Sequence, residues 1–401
     1  MSEWKEYKLG DLCEVGRGSS PRPIIDQKYF INGRIPWIKI ADATASGKYI
    51  QSTKEYVNEY GASFSRYLDE NSLIIAASGV SLGQIKFLGV KGCIHDGWLY
   101  TSKYKEDKLN KDFLYYFLIY YSESFHNFSS GAAIQNINTE ILRNTKINLP
   151  SLKTQQKIAN ILSTYDELIE VNTLRIKTLE ETAQALYKEW FVRFRFPNYQ
   201  QTEFIKGVPK GWEVGNIFDF AEVKGGGTPL TTNEQYWTGN IPFYTPTDYN
   251  NDFYVFETEK NITKLGLKNS STKLFSKGTV FITARGSVGN VCLAGIDMAM
   301  NQSCFAIVSS NNTNEFYLFL FVKEMTNFFK QVASGATFDA FNLATFKNYK
   351  TIIPNVDVIE SFSIICTPIF NQIETLQSQN KELRQIRDRL LPRLISGRIS
   401  V

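Results

Sequence analysis

Two stretches of the chain place apolar residues by alternating steps of four and three. Ile158, Leu162, Tyr165, Ile169, Asn172, Ile176, Leu179, Ala183, Leu186 and Trp190 form one series. Phe362, Cys366, Ile369, Ile373, Leu376, Asn380, Leu383, Arg387, Leu390 and Leu394 form the other. Glu, Lys and Arg fill many of the positions between. A sustained 3–4 alternation is the seam of a coiled coil. Each stretch predicts one helix of about 33 residues, about 50 Å long at 1.5 Å per residue. Pro392 falls late in the second seam and predicts a kink or a frayed last turn.

Elsewhere the pattern is that of short strands and turns. Ser72–Ala77 and Thr279–Ala284 read as buried strands closed by glycine; Gln84–Leu88 and Asn290–Ala294 resume them. An aromatic-rich helix follows each, near Asp112–Tyr121 and Asn314–Phe329. These parallels belong to an internal repeat at an offset of about 206 residues. Trp4, Glu14-Val15 and Gly18-Ser19-Ser20-Pro21 return as Trp212, Glu222-Val223 and Gly226-Gly227-Thr228-Pro229. Ile35-Pro36-Trp37 with Asp42 returns as Ile241-Pro242-Phe243 with Asp248. Ala77-Ser78-Gly79-Val80-Ser81-Leu82-Gly83 answers to Ala284-Arg285-Gly286-Ser287-Val288-Gly289, and Ser130-Gly131-Ala132 before Asn138 to Ser334-Gly335-Ala336 before Asn342. Each copy closes on a short apolar run ending at Pro150 or Pro354.

The fold class is therefore mixed α/β (α+β): two pseudo-repeated domains, 1–152 and 197–354, and two long coiled-coil helices, 153–196 and 355–401. The first helix carries the chain away from domain one. The second can bury its seam only by running back along the first, so the pair is antiparallel. Asn172 lies 14 residues after Ile158, and Asn380 lies 14 before Leu394. A symmetric overlap brings the two asparagines together, where a buried polar pair fixes register at some cost in stability; the competing reading is two solvated seam positions.

Composition adds little to this picture. At 43% hydrophobic and 21% charged the chain is ordinary globular protein. Its 29 Phe and 21 Tyr suit sheet packing as well as base stacking. No apolar run reaches the roughly 18 residues of a membrane span, and the opening MSEWKEYKLGDL lacks a secretory apolar core. Cys13, Cys93, Cys292, Cys304 and Cys366 are scattered, with no CxxC, which points to reduced thiols in a cytoplasm and to no metal site. Residues 1–152 hold 18 Lys and Arg against 16 Asp and Glu, and residues 197–354 hold 13 against 13. Charge thus permits a nucleic-acid partner without arguing for one.

Catalytic signatures are missing. There is no GxxxxGK phosphate loop, no Asn-Pro-Pro-aromatic motif, and His95 and His126 are the only histidines, so no catalytic residue is assigned. Gly79-Val80-Ser81-Leu82-Gly83 fits the serine-hydrolase elbow, but an elbow joins a strand to a helix, and here a strand follows. The repeat also breaks the motif by dropping one residue.

Two similar domains at the ends of a rod suit a partner with two sites at a fixed distance. Duplex DNA offers this, with half-sites about 34–36 Å apart per turn. Unlike copies imply unlike half-sites, a split non-palindromic target whose spacer the rod sets. The glycine turns let backbone approach phosphate, and polar side chains in them reach base edges. The candidates are Arg17, Ser19, Ser78, Ser81, Gln135 and Asn138 in the first copy, and Thr228, Arg285, Ser287, Asn301, Gln302 and Asn342 in the second. Lys39, Lys86 and Lys224 are phosphate candidates, with plain solvation as the competing reading. Arg285, the only arginine in 197–354, suits a bidentate guanine contact or a surface salt bridge. Asn301-Gln302 can read adenine, which His95-Asp96 cannot do in the same way. For Gln135, Asn138 and Asn342 the alternative is a local turn.

A family resemblance joins here. Asp166-Glu167-Leu168-Ile169-Glu170-Val171-Asn172 running into Gln184-Ala185-Leu186-Tyr187-Lys188-Glu189-Trp190-Phe191-Val192-Arg193-Phe194 and Phe196-Pro197 resembles the central conserved region of type I restriction-modification specificity subunits. Leu390-Leu391-Pro392-Arg393-Leu394-Ile395-Ser396-Gly397 resembles their C-terminal conserved region, and Gly225-Gly226-Gly227-Thr228-Pro229 an opening of their target-recognition domains. The resemblance implies a non-catalytic subunit that names a double-stranded DNA sequence for a larger enzyme. Two methyltransferase subunits would bring S-adenosylmethionine and base flipping, and motor-nuclease subunits ATP, Mg and cleavage. The helices, through Ile158, Leu162, Ile169, Asn172, Leu179, Leu186, Trp190, Ile369, Ile373, Asn380, Leu383 and Leu390, would form the rod and docking surface. Two other classes stay open on the residues alone: a hydrolase using Ser81, and a helical scaffold whose end domains bind proteins.

Overall fold

The computed structural model describes residues 4–44, 46–130, 137–310, 314–332 and 340–401, with side chains throughout except at 80 and 123–130. Gln135 and the landmarks Gly131-Ala132 and Ser334-Gly335-Ala336 lie outside the described residues. The chain divides into two compact units, residues 1–171 with 381–401, and residues 172–380. Each unit holds one repeat together with a segment of both long helices.

In the first unit a five-stranded sheet runs in the order Glu14–Arg17, Trp98–Ser102, Leu73–Ala76, Ile85–Leu88, Tyr49–Ile50. The first four are antiparallel neighbours and the fifth joins parallel. Successive side chains of a strand point to opposite faces. Leu73 and Ile75 accordingly join a core with Phe113, Leu114 and Leu118 of helix Lys111–Ser130, while Ile74 and Ala76 join Ile38, Leu88 and Trp98 in another. With both faces covered, the strand reads as a continuous apolar run. A four-stranded sheet, Tyr56–Val57, Ile35–Ile38, Gly92–Ile94, Arg66–Leu68, and the pair Lys5–Lys8 with Lys146–Leu149 complete the unit.

The second unit repeats the topology of the main sheet, while its smaller sheet has three strands in place of four. Its five-stranded sheet runs Ala221–Gly225, Cys304–Ser309, Val280–Thr283, Val291–Ala294, Tyr254–Val255, again with a parallel fifth strand. Val280 and Ile282 share a core with helix Glu315–Val332, and Phe281 faces Tyr244, Met298 and Met300. The internal repeat in the sequence is thus a repeat of strand order and direction.

The long helices are Leu152–Tyr187, 36 residues continued by a π-wound turn Lys188–Val192, and Val356–Ile395, 40 residues. In the first unit Ile158 and Leu162 share a core with Leu391, Leu394 and Ile395. Further along, Asp166 accepts from Arg387 at 2.5 Å and from the Tyr116 hydroxyl at 2.5 Å. In the second unit Asn172 Nδ2 donates to Asn380 Oδ1 at 3.0 Å, and Trp190 and Phe191 meet Phe362 edge-on at 5.6 and 4.9 Å between ring centres. In each unit rising numbers on one helix meet falling numbers on the other, so the segments run antiparallel. Both asparagines are buried, and pairing spares each the penalty of an unsatisfied amide.

The seam residues face inward. Ile158, Leu162, Trp190 and Ile373 are buried; Ile169, Leu179, Leu186, Ile369, Leu383 and Leu390 are half-buried. Pro392 does not end its helix, which runs on to Ile395. Pro368, well inside the same helix, does not end it either, and N–H groups of Gly397 and Ile399 close the terminus on Leu394 O and Arg393 O. All five cysteines are buried and unpaired; burial pushes Cys13 up to about 12 and Cys93 to about 11, so neither is a ready thiolate. Among the described residues, no helix is long and apolar enough to cross a membrane, and no cluster of His, Cys, Asp or Glu is placed to hold a metal ion.

Candidate nucleic-acid interface

One end of each five-stranded sheet gathers three loops. In the first unit the edge strand leaves the sheet at Gly18, whose N–H donates to Trp98 O at 2.8 Å. The backbones lie so close that a Cβ on Gly18 would stand 2.1 Å from His95 O, so only glycine fits. Beside them Ala77 N–H donates to Gly97 O at 2.9 Å, and Ile137 N–H to Ala77 O at 2.8 Å. The His95 N–H donates to Ile38 O at 3.1 Å, which brings Lys39 to the same end. The segments 17–22, 77–83 and 95–97 thereby share one rim with Asn138.

Asp96 is the hub of that rim. Its carboxylate accepts from Ser20 Oγ at 2.9 Å and from Arg22, His95 Nε2 lies 3.1 Å from it, and Arg17 Nε donates to the Asp96 carbonyl at 2.8 Å. Burial alone would raise the Asp96 carboxyl; the Ser20 bond and the charges of His95 and Arg22 outweigh it and hold the group below its ordinary range. Burial lowers the His95 imidazole, helped by Lys39, Arg22 and Arg17 and opposed by Asp96. His95 Nδ1 accepts the Gly97 N–H at 2.9 Å, which folds the ring back onto its own turn.

The second unit builds the same end from other side chains. Gly226 N–H donates to Cys304 O at 3.3 Å, and a Cβ there would stand 2.0 Å from Asn301 O. Ala284 N–H donates to Ser303 O at 2.7 Å, Phe341 N–H to Ala284 O at 3.0 Å, and Asn301 N–H to Tyr244 O at 3.0 Å. Asn301 Oδ1 accepts the Ser303 N–H at 3.0 Å, as His95 Nδ1 does from Gly97. Thr228 Oγ1 donates to Gln302 Oε1, as Ser20 does to Asp96. The turn after the central strand opens on a left-handed glycine in both units, Gly79 at φ +72° and Gly286 at +78°.

The fold therefore brings together Arg17, Ser19, Ser78, Ser81, Lys39 and Asn138 in one unit, and Thr228, Arg285, Ser287, Asn301, Gln302 and Asn342 in the other. Their conditions differ. Arg17, Arg285, Ser287 and Gln302 are exposed. Asn138 and Asn342 cap short helices, their Oδ1 atoms accepting N–H groups of Ile141 at 2.8 Å and Thr345 at 2.9 Å. Lys39 pairs with Glu55. Lys224 pairs with Glu222 at 2.6 Å on the edge strand. Lys86 stands apart, donating to Ser46 O at 2.8 Å and Gly47 O at 2.6 Å, with burial lowering its ammonium. The turn Gly79–Ser81 leads into strand Ile85–Leu88, so Ser81 lacks the strand-to-helix setting of a nucleophile elbow. Sequence reading passed over Arg22 and the hub role of Asp96, although two arginines around the Gly-Ser-Ser-Pro opening were a visible signal.

Positive charge thus sits on different loops of equivalent ends. The first unit carries Arg17 and Arg22 where the second has Gly225 and Leu230; the second carries Arg285 where the first has Ser78. Among the described residues Arg285 has no carboxylate partner. Arg285→Ala is expected to relax base preference in one half-site only, at about 1–3 kcal/mol. Binding measured on single-base duplex variants checks this; equal weakening on every duplex would reduce Arg285 to a phosphate contact.

Comparison with known proteins agrees with this architecture. The family model described as "Type I restriction modification DNA specificity domain" matches twice, at residues 1–181 and 209–385. The chain is 25% identical to the type I restriction enzyme HindI specificity subunit of Haemophilus influenzae over the full length of both proteins. It is 26% identical to the MjaIX specificity subunit of Methanocaldococcus jannaschii, covering 100% of this chain and 94% of that one. In fold it is similar to the crystal structure of a type I restriction-modification S subunit from M. genitalium, with a TM-score of 0.60 over 98% of this chain and 96% of the other, at 16% identity. With the family model matched in both repeats, this chain belongs to the type I restriction-modification DNA specificity family.

Proposed function

We propose that this chain is the DNA-reading subunit of a type I restriction-modification complex, each unit reading one half of a split, non-palindromic target. The observation that carries the reading is the doubled loop end: one backbone arrangement, built twice, with unlike side chains at its rim. Equivalent scaffolds dock alike, and unlike rims select unlike sequences. The long helices set the number of unread base pairs between the halves.

The chemistry belongs to partners on this reading. Methyltransferase subunits, two per complex, bring S-adenosylmethionine and take the target adenine out of the stack. Motor-nuclease subunits bring ATP, Mg and cleavage. Because the seam residues are turned inward, docking falls to other faces of the helices. Exposed apolar residues are available there, such as Leu168 and Val171 in the first unit and Ile364 and Ile365 in the second.

Adenine-methylation mapping of genomic DNA, with and without this gene and in the presence of its methyltransferase partner, tests the proposal. A split motif of two unlike halves that depends on the gene is the expected result. Unchanged methylation by an active partner would move the scaffold reading ahead.

A further inference from the structure

We propose that one equivalent position carries a base-discriminating side chain in each unit: Gln302 for an adenine in one half-site, Asp96 for a cytosine in the other. A hydroxyl positions each of them, Thr228 and Ser20. The inference rests on the DNA-reading function proposed above and says which residues perform it.

The equivalence of the two positions comes from the backbone. His95 and Asn301 both pair their N–H groups with the end of a neighbouring strand, at Ile38 O and Tyr244 O. Both fold their own side chains back onto the N–H two residues on. Residue 95 or 301 is thereby spent on making the turn, and the residue after it is delivered to the rim. Asp96 keeps 31% of its side chain exposed there, and Gln302 is exposed. Where backbones coincide and side chains differ, a difference in selectivity has its natural seat.

The hydroxyl sharpens what each side chain can read. An amide presents an oxygen that accepts and a nitrogen that donates, and a flip exchanges them. In the arrangement seen, the Thr228 hydroxyl donates to Gln302 Oε1 and takes one of its two lone pairs. The second lone pair and the Nε2 protons then form an acceptor–donor pair, which matches N6 and N7 of adenine in the major groove. Asp96, ionised, only accepts. Ser20 donates to one of its oxygens and Arg22 to the other, which leaves acceptor capacity on the carboxylate. That capacity suits the N4 amino group of cytosine.

The test uses the full chain assembled with its methyltransferase partner and a duplex pool randomised across both half-sites, sequenced before and after capture. The unsubstituted complex is expected to require adenine at one pair of one half and cytosine at one pair of the other. Gln302→Ala should lower the adenine preference by about tenfold to a hundredfold and leave the other half unchanged. Asp96→Asn should do the converse at the cytosine. Thr228→Val should lose part of the same adenine preference while Thr228→Ser retains it, a split that a merely structural threonine would not produce. Melting temperatures equal to the parent's confirm folding, with Gln302→Glu as the second variant. A split preference unmoved by Gln302→Ala and Asp96→Asn overturns this inference alone. Uniform weakening on all sequences also overturns it, leaving phosphate contacts. No sequence preference in the unsubstituted complex overturns both it and the DNA-reading function.

Discussion

Replacing Phe362 by alanine is expected to destabilise the second unit by about 3–5 kcal/mol. The ring is fully buried and meets Tyr187, Trp190 and Phe191 edge-on, at 6.2, 5.6 and 4.9 Å between centres. Its loss removes transfer energy and opens a cavity, and each edge-on pair adds roughly 0.5–1.5 kcal/mol beyond area. The cavity cannot close easily, because Phe191 is also fixed against Tyr317 of the recognition domain at 4.8 Å. Urea unfolding of the full chain, followed by tryptophan fluorescence, reads the change through Trp190 and Trp212 in the same core. Ile364→Ala is the control: Ile364 is 76% exposed two positions away, and its truncation should stay within about 0.5 kcal/mol. Equal effects at 362 and 364 would mean the aromatic cluster does not hold the second helix.

That cluster also marks the limit of what periodicity could reveal. The 3–4 alternation found Trp190 and Phe362, because a seam position repeats every half heptad whatever it packs against. It passed over Phe191, which would lie off the seam of a regular α-helix. The π-wound turn Lys188–Val192 changes the local phase and lets adjacent residues both turn inward. Winding of this kind follows from tertiary packing and has no signature of its own. Proline is a weak stop signal here: the second long helix runs through both Pro368 and Pro392 before it ends at Ile395.

The buried strands were legible as apolar runs because both faces of the central sheets are covered. The smaller sheets were not. Strands such as Tyr56–Val57 and Asn261–Ile262 are two residues long, too short to show alternation, and exist only where a neighbour supplies the ladder. At the rim, the glycines and the Ser/Thr-Pro openings stood out because backbone approach demands them. Which polar residues meet across loops did not. Ser20 and Asp96 are 76 residues apart, Thr228 and Gln302 74, and no local spacing joins them. The sequence offered Asn301 and Gln302 together as adenine readers; the Asn301 amide oxygen is committed to a turn.

Inserting one heptad into both long helices is expected to move the target without changing either half-site. A second copy of 173–179 in the first helix and of 373–379 in the second adds facing residues. It leaves the Asn172–Asn380 and Asp166–Arg387 pairs in place. Seven residues return the seam to the same phase in a left-handed coiled coil, so the insert remains apolar on its inner face. The added length is about 10 Å at 1.5 Å per residue, close to three base pairs at 3.4 Å each. Methylation at the native site should fall to background, and a motif with the same halves and a spacer longer by about three should appear. Its affinity should be lower than native, because three base pairs also turn the groove by nearly a third of a turn and the supercoil supplies no matching rotation. Insertion into one helix alone should fail differently, since it puts the two asparagines out of register and leaves each amide buried against apolar neighbours. Methylation mapping of the three strains distinguishes these results; a double insert that keeps the native spacer would show that something other than the helices measures the distance.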